Sequence, residues 1–372
     1  MIQDDEFVES QIAHCLGSVA GPGLRQDGPA LDHAKAVSAV GALLWDIAQG
    51  KPAPWNGWRE VHEGTADGPP RLVGPRKVNP EKHLGALRTL QASGLDFNAI
   101  IDMRDCRTRG LRLADGTVFP VFSFHRQRGR SDRVIWPLPG YQDLDHENFV
   151  GHVHPDHVPW SQKTPRVIWR GIPGGRAQPK GPEGHEGYRF GPLLRKAASG
   201  EWPPEQARAV LSSFPRHRFV EHLYSDPRAD VGFVDRGKLR LSDVPVLRDW
   251  EKPRLTRQQM QGARYLAVVR GNDLASNFFW TMNSGSLALV MDGPFESFAA
   301  CHFQPWVHYL PFKADMSDFD QIFDWAEAHQ DECRQMARRA ADVCLLLARA
   351  DLRQRALAGV VARLGAAIRR GG

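Results

Sequence analysis

Four short clusters in this sequence place charged side chains directly behind apolar runs, where a strand of an α/β sheet hands its chain to a loop. Asp102-Met103-Arg104-Asp105 leaves the apolar strand expected at 95 to 102. A carboxylate at such a strand end can deprotonate a hydroxyl, and a neighbouring arginine can orient it or hold its pKa low. A surface ion pair between Arg104 and Asp105 is the plainer use of the same residues, and spacing alone favours it. Arg170-Gly171 follows Arg166-Val167-Ile168-Trp169; the guanidinium fork matches phosphate oxygens, and glycine permits close backbone approach to a ligand. Arg270-Gly271-Asn272-Asp273 precedes a helix expected from Leu274, with Ser276 in its first turn. Free N–H groups and the helix dipole favour an anion there, although Asp273 as an N-cap would occupy the same donors. Gly293-Pro294-Phe295-Glu296 carries a carboxylate that suits sugar or ribose hydroxyls, or another helix cap.

The elements that must position these clusters read as alternating helices and strands. Residues 32 to 49 pattern as a helix ending at Gly50. A second helix starts at Val78-Asn79-Pro80, with Pro in its first turn, and stops at Gly94; a buried strand, residues 95 to 102, follows directly. Val118 to Phe124 reads as a strand, then a basic loop runs from His125 to Arg133. Val134 to Gly140 leaves the sheet through its prolines. Further on, Tyr265 to Val269, Leu274 to Asn283 and Ser286 to Met291 pattern as strand, helix and strand, a βαβ unit that implies a parallel sheet. From Asp318 onward, apolar residues recur at helical spacing. Trp136, Trp169 and Trp280 read as core residues, and His308 is divided between a ligand contact and a structural role.

Length and composition set the outer bounds. A chain of 372 residues calls for two domains, and 42% hydrophobic with 24% charged residues describes a folded globular protein. No basic-then-apolar leader opens the sequence and no apolar run reaches about 18 residues, so a cytoplasmic location is expected. Five cysteines without a CxxC pair argue against a disulfide framework and a zinc site. The net charge of +5 suits an anionic small molecule, an anionic membrane surface or nucleic acid. No nucleic-acid motif is present, so no nucleic-acid partner is expected.

In combination, these segments resemble glycosyltransferase family 90, in particular its bacterial branch. RYLAVVRGNDLASNFFWTMNSGSLALVMDGPFESF from Arg264, followed by QPWVHYLPFKADMSD, is similar to the family signature of turn, helix, strand and P-x-VHY-x-P segment. Upstream, FNAIIDMRD, FPVFSF, VIWPLPG and VIWRG resemble its successive N-domain blocks in order. The resemblance covers about residues 95 to 320. It implies an α/β fold of GT-B type, with two Rossmann-like domains facing each other across a cleft. The acceptor domain is expected at 1–160, the UDP-sugar donor domain at 161–335, and C-terminal helices 336–372 packing back on the first domain.

The activity so implied is inverting transfer of a hexose or pentose, from UDP-glucose or UDP-xylose, to a hydroxyl of a lipopolysaccharide, capsule or other glycan or glycolipid precursor. No metal and no cofactor beyond the co-substrate are expected, and peripheral contact with the inner membrane would bring the acceptor within reach. Asp105 matches the family's catalytic aspartate, which reverses the reading from spacing alone, and Arg104 stands beside it as an orienting or acceptor-side group. Arg170, Gly171, Arg270, Gly271, Asn272, Asp273, Ser276 and Glu296 match or accompany the donor-side positions.

Departures from the pattern matter too. Cys106-Arg107-Thr108-Arg109 replaces an aromatic residue and proline, the segment Gly171 to Gly191 is long and Gly-rich, and Asn277 and Phe279 are uncharged where relatives carry a base. The last departure motivates a rival reading, a sugar-nucleotide-binding protein without transfer activity. A remoter one is a nucleic-acid binder that uses residues 125 to 133 and the arginine-rich C-terminal helices.

Overall fold

The computed structural model describes residues 3–20, 24–26, 28–37, 41–53, 55–61, 71–76, 78–105, 111–112, 118–130, 133–152, 158–175, 190–235 and 241–371. The chain divides into two compact units. The first comprises Met1–Gly151, Pro294–His302 and Leu346–Gly372; the second comprises His152–Gly293 and Phe303–Leu345.

Unit 1 is built on a mixed five-stranded sheet in the order Val134–Ile135, Val121–Ser123, Ala99–Ile101, Leu43–Asp46, Lys51–Pro52. The first three strands are parallel; Leu43–Asp46 runs antiparallel to both its neighbours. The helix Pro80–Ala92 feeds Ala99–Ile101. Its Asn79 N-cap side chain accepts from the Glu81 N–H, and Gly94 takes the positive φ of 89° that ends it. The expected helix over 32 to 49 is replaced by a helix Gly28–Val37 and the strand Leu43–Asp46. Leu43, Leu44 and Trp45 are all buried, and an apolar run this short fits a strand as well as a helix; pairing with Ala99–Ile101 decides it.

The first helix, Asp4–Leu16, packs along the last, Ala350–Gly371. A Cβ on Gly359 would lie 2.3 Å from Ile12 Cδ1, so glycine sets how closely the two helices approach. Their rims are joined by Arg349–Asp4 at 2.7 Å, Arg363–Glu9 at 2.5 Å, and Arg355–Asp5. The short strands Phe295–Ser297 and His125–Gln127 pair antiparallel within the same unit.

Unit 2 carries five parallel strands in the order Ala229–Phe233, Thr164–Gly171, Ala263–Val268, Leu287–Met291, Leu310–Phe312. Numbered along the chain this is 2-1-3-4-5, a doubly wound order whose direction reverses between Thr164–Gly171 and Ala263–Val268. The expected parallel pairing of the strands near 265 and 286 is present. Helices Phe190–Ala198, Pro204–Leu211 and Pro215–Leu223 connect the first two strands. The core gathers Trp169, Phe219, Phe233, Tyr265, Phe312, Phe319 and Phe323, each nearly or fully buried. Each such aromatic contributes about 1.5–3 kcal/mol by leaving water, which holds the strand ends in fixed positions.

The helix expected over Leu274 to Asn283 is confined to Phe278–Met282. Asp273 Oδ1 accepts the Leu274 N–H at 2.6 Å, and the Asn277 amide donates to Ala267 O at 2.9 Å. Both bonds hold 271–277 as successive turns against the end of the strand before it. Trp136, Trp169 and Trp280 are buried, as their sequence setting suggested.

Candidate functional site

In an open parallel sheet, the ligand crevice lies beyond the C-terminal strand ends at the point where strand order reverses. In unit 2 that point is flanked by Ile172, just after Thr164–Gly171, and by Val269 to Asp273, just after Ala263–Val268. One cation joins the two sides. Arg216 Nη1 donates to Ile172 O at 3.1 Å, and its Nε reaches Val269 O at 3.4 Å. The guanidinium fills the space beside Gly271, where a Cβ would lie 3.0 Å from Cζ, and it stands 5.9 Å from the Trp169 ring centroid. Burial lowers Arg216 to about 10, with the Asp273 charge pulling the other way, so it is fully protonated at neutral pH.

Arg216 is the residue that sequence reading missed. Ser213-Phe214-Pro215 marks the start of a helix, with Pro in its first turn. A helix that feeds the strand Ala229–Phe233 must begin at the C-terminal edge of the sheet, so the first turn of Pro215–Leu223 points to this edge. That was the available signal.

The remaining donor-side residues divide. Arg270 lies in the same turn, donates from Nε to Asp292 O at 3.0 Å, and is lowered by burial against the pull of Asp292. A Cβ on Gly293 would lie 2.9 Å from its Cδ. Gly271 and Asp273 are buried, and Asn272 and Ser276 are exposed in the same stretch. Gly175, at φ 124°, brings the chain after Ile172 against Gly271: a Cβ there would stand 3.0 Å from Gly271 O. The helix Phe278–Met282 begins too late and is too short to offer its N-terminus to this turn, so the expected helix-dipole contribution is absent. Asn277 is tied to Ala267 and Phe279 is buried, which accounts for the space a basic side chain would have needed.

Arg170 is placed differently from the expectation. All five of its N–H bonds are spent inside the protein: Nε on Pro253 O at 3.0 Å, Nη1 on Trp169 O at 3.0 Å and Asp230 O at 2.7 Å, and Nη2 on both Asp230 carboxylate oxygens at 2.9 Å. Its side chain is 6% exposed. Lys252 completes the cluster, donating to Asp230 Oδ1 at 2.7 Å. Burial alone would raise the Asp230 carboxyl, but the bonds from Lys252 and Arg170 outweigh it and hold the carboxyl below its ordinary range. Arg170 therefore fastens two strands and has no donor left for a diphosphate. Gly171 follows suit: a Cβ there would meet the Trp169 ring at 2.4 Å, so the glycine accommodates an indole rather than a ligand.

Glu296 belongs to unit 1, not to the donor-side unit. It lies on Phe295–Ser297 and accepts from Arg126 Nε at 2.7 Å. Arg126 also donates to Cys15 O, Arg133 O and His14 O, so the pair anchors the first helix.

On the other strand-end cluster, Arg104 pairs with Asp102 rather than Asp105. Its Nε donates to Oδ1 at 2.6 Å and its Nη2 to Oδ2 at 2.9 Å. Asp102 is 4% exposed, and its own N–H is held by Phe122 O. Asp105 is exposed, and among the described residues its carboxylate has no partner. The geometry thus separates a buried structural carboxylate from an available one three residues later. Cys106, Arg107, Thr108 and Arg109 lie outside the described residues, as do 176–189 of the Gly-rich segment.

Unit 2 is therefore a doubly wound α/β unit with a cationic crevice at its switch point, and unit 1 a mixed α/β unit in which the Asp105 carboxylate, at a strand end, has no partner among the described residues. Comparison with known proteins gives part of this chain a family likeness. The model of the family "Glycosyl transferase family 90" matches residues 247–350. The O-glucosyltransferase LpsA of Dichelobacter nodosus is 23% identical over 190 residues, covering 51% of this chain and 46% of that protein. Protein O-glucosyltransferase 2 of Danio rerio is 30% identical over 235 residues, covering 61% of this chain and 39% of that protein. Protein O-glucosyltransferase 1 of Rattus norvegicus is 25% identical over 164 residues, with 40% and 39% covered. These matches support a family 90 glycosyltransferase-like protein. Its matches span less than half the length of these relatives.

Proposed function

We propose that this protein is an inverting glycosyltransferase of GT-B type that moves a hexose or pentose from a UDP-sugar, UDP-glucose or UDP-xylose, to a hydroxyl of a surface glycan or glycolipid precursor. The observation that carries the reading is the cationic crevice at the switch point of the unit 2 sheet, whose Val269 to Asp273 side lies in the segment that matches the family, while Arg216 and Ile172 lie outside it. A nucleoside diphosphate leaving group needs positive charge where its phosphates sit, and a parallel sheet offers that place at its C-terminal edge. The relatives' names, O-glucosyltransferases, support transfer to oxygen.

In this reading unit 1 serves the acceptor and unit 2 the donor. Asp105 takes the proton of the acceptor hydroxyl as its oxygen bonds to the anomeric carbon, and the bond from that carbon to the UDP oxygen breaks with inversion. The departing negative charge is met by arginine, so the reaction runs without a metal or a further cofactor. The protein works in the cytoplasm against the inner membrane surface, where the acceptor precursor resides. No helix among the described residues is long and apolar enough to cross a membrane.

The test is calorimetric titration with UDP, ADP and GDP, with and without EDTA, followed by transfer assays with UDP-glucose and UDP-xylose. Selective UDP binding that survives EDTA is the expected result. Preference for another nucleotide, or dependence on added metal, overturns the donor assignment. Selective UDP binding with no transfer to any glycan precursor favours the inactive binding protein suggested by Asn277 and Phe279.

A further inference from the structure

We propose that Arg216, on the first turn of the helix Pro215–Leu223, is the residue that neutralises the donor diphosphate, replacing both Arg170 and the basic side chain absent at Asn277 and Phe279. The inference rests on the donor reading above and assigns its charge to a particular side chain.

A diphosphate at the switch point needs a guanidinium or ammonium with N–H bonds to give. Arg170 has none: two carboxylate oxygens and three carbonyls consume all five. Arg216 spends one N–H on Ile172 O and one, at the long distance of 3.4 Å, on Val269 O. Among the described residues its Nη2 has no hydrogen-bond partner. Two carbonyls, one on each side of the strand reversal, aim the fork, and the Trp169 ring faces its flat surface.

The neighbours confirm that the guanidinium is placed by construction. Gly271 leaves the volume that Arg216 occupies, and any larger residue would press on Cζ from 3.0 Å. Asp273, 8% exposed and fixed by the Leu274 N–H, supplies a nearby opposite charge. A partly buried cation held among fixed carbonyls interacts more strongly with an arriving anion than one on a mobile surface side chain. Arg270 shares the turn, but its Nε is engaged with Asp292 O.

The experiment uses the full chain, titrated calorimetrically with UDP, uridine and inorganic pyrophosphate, for the wild type, Arg216→Gln, Arg216→Lys and Arg170→Lys. A charge-assisted hydrogen bond is worth about 1.5–3 kcal/mol, roughly 10- to 150-fold in affinity. Arg216→Gln is expected to weaken UDP and pyrophosphate by that factor and leave uridine unchanged, whereas Arg170→Lys leaves UDP affinity as it was. Arg216→Lys, with the charge but not the fork, should fall between. Thermal melting confirms that each variant is folded. Gly271→Val provides a second route, displacing the guanidinium without removing it, and should weaken UDP in the same way. If Arg216→Gln and Gly271→Val are folded and bind UDP like the wild type, the assignment to Arg216 is wrong while the donor reading stands. If the wild type binds pyrophosphate through Arg216 but shows no preference for UDP, Arg216 is the anion residue and the donor reading fails. If it binds neither, both fall.

Discussion

The backbone N–H of Met103 donates to Nε2 of His83 at 3.2 Å, while Nδ1 of the same ring faces Asn79 O at 3.1 Å. The first bond needs an unprotonated Nε2, so the turn that carries Asp102 and Asp105 is braced by a neutral histidine. Burial drives His83 down to about 4, against the upward pull of Asn79 and Asp102. The unfolded chain takes up this proton near 6.5 and the folded one near 4, so the unfolded state binds more protons throughout that window. The contribution of His83 is complete above pH 6.5 and is lost as pH falls toward 4, to an extent of about 3 kcal/mol. Melting temperatures measured from pH 7.5 to 4.5 should decline, and in His83→Gln, which keeps an acceptor near Nε2, they should decline less steeply. Parallel pH profiles for the two proteins would show that the ring does not titrate with folding.

Arg170→Ala tests whether a strand-end arginine is structural. The change leaves Asp230, 31% exposed, with Lys252 alone and strips three carbonyls of their donor. A loss of about 2–3 kcal/mol is expected, below the figure for a fully buried pair because Lys252 remains and Asp230 touches water. Melting should drop by roughly 5–10 °C. UDP affinity, measured well below the new transition, should stay within about twofold, as expected of a group that makes no phosphate contact. A tenfold weaker Kd at unchanged melting temperature would return Arg170 to the ligand site.

Arg170 also shows what a sequence can and cannot reveal. Its position behind a strand was legible, because Val167, Ile168 and Trp169 form a short apolar run between polar turns, and so were the strands near 265 and 287 and the helix capped by Asn79. Its partners were not, because Asp230 and Pro253 lie 60 and 83 residues away. The same distance hid Arg216, whose bonds to Ile172 and Val269 span 44 and 53 residues. Residue type suggests that an arginine suits phosphate; only the fold tells whether its N–H groups are already used. The overlong helix at Leu274 has a local cause: Asp273 and Asn277 make side-chain bonds that compete with helical ones, as short polar side chains do.

Glu296→Gln separates a donor contact from a structural ion pair. Arg126 is 5% exposed and gives its other N–H groups to His14, Cys15 and Arg133, so neutralising Glu296 leaves a buried cation without its carboxylate. The expected cost is about 1–3 kcal/mol, read as a lower midpoint in urea with unchanged slope. UDP titration should give the wild-type constant. Were the midpoint to stay put while UDP binding weakened, Glu296 would be a donor ligand after all.

Asp105→Asn addresses the chemistry itself. The carboxylate is exposed and, among the described residues, unpaired, so removing its charge should leave the melting temperature and the UDP dissociation constant unchanged. An amide cannot accept the acceptor hydroxyl's proton, and general-base catalysis contributes about 10²–10⁴-fold. Transfer should therefore fall by that factor, with kcat and kcat/KM reduced alike, since a base acts on the transition state and not on donor binding. Asp102→Asn provides the contrast, because Asp102 is buried against Arg104 and its change should appear first in stability. If transfer survives in folded Asp105→Asn, the base must be sought elsewhere, and the free carboxylate beside Arg104 and Asp102 is only the solvated end of a strand.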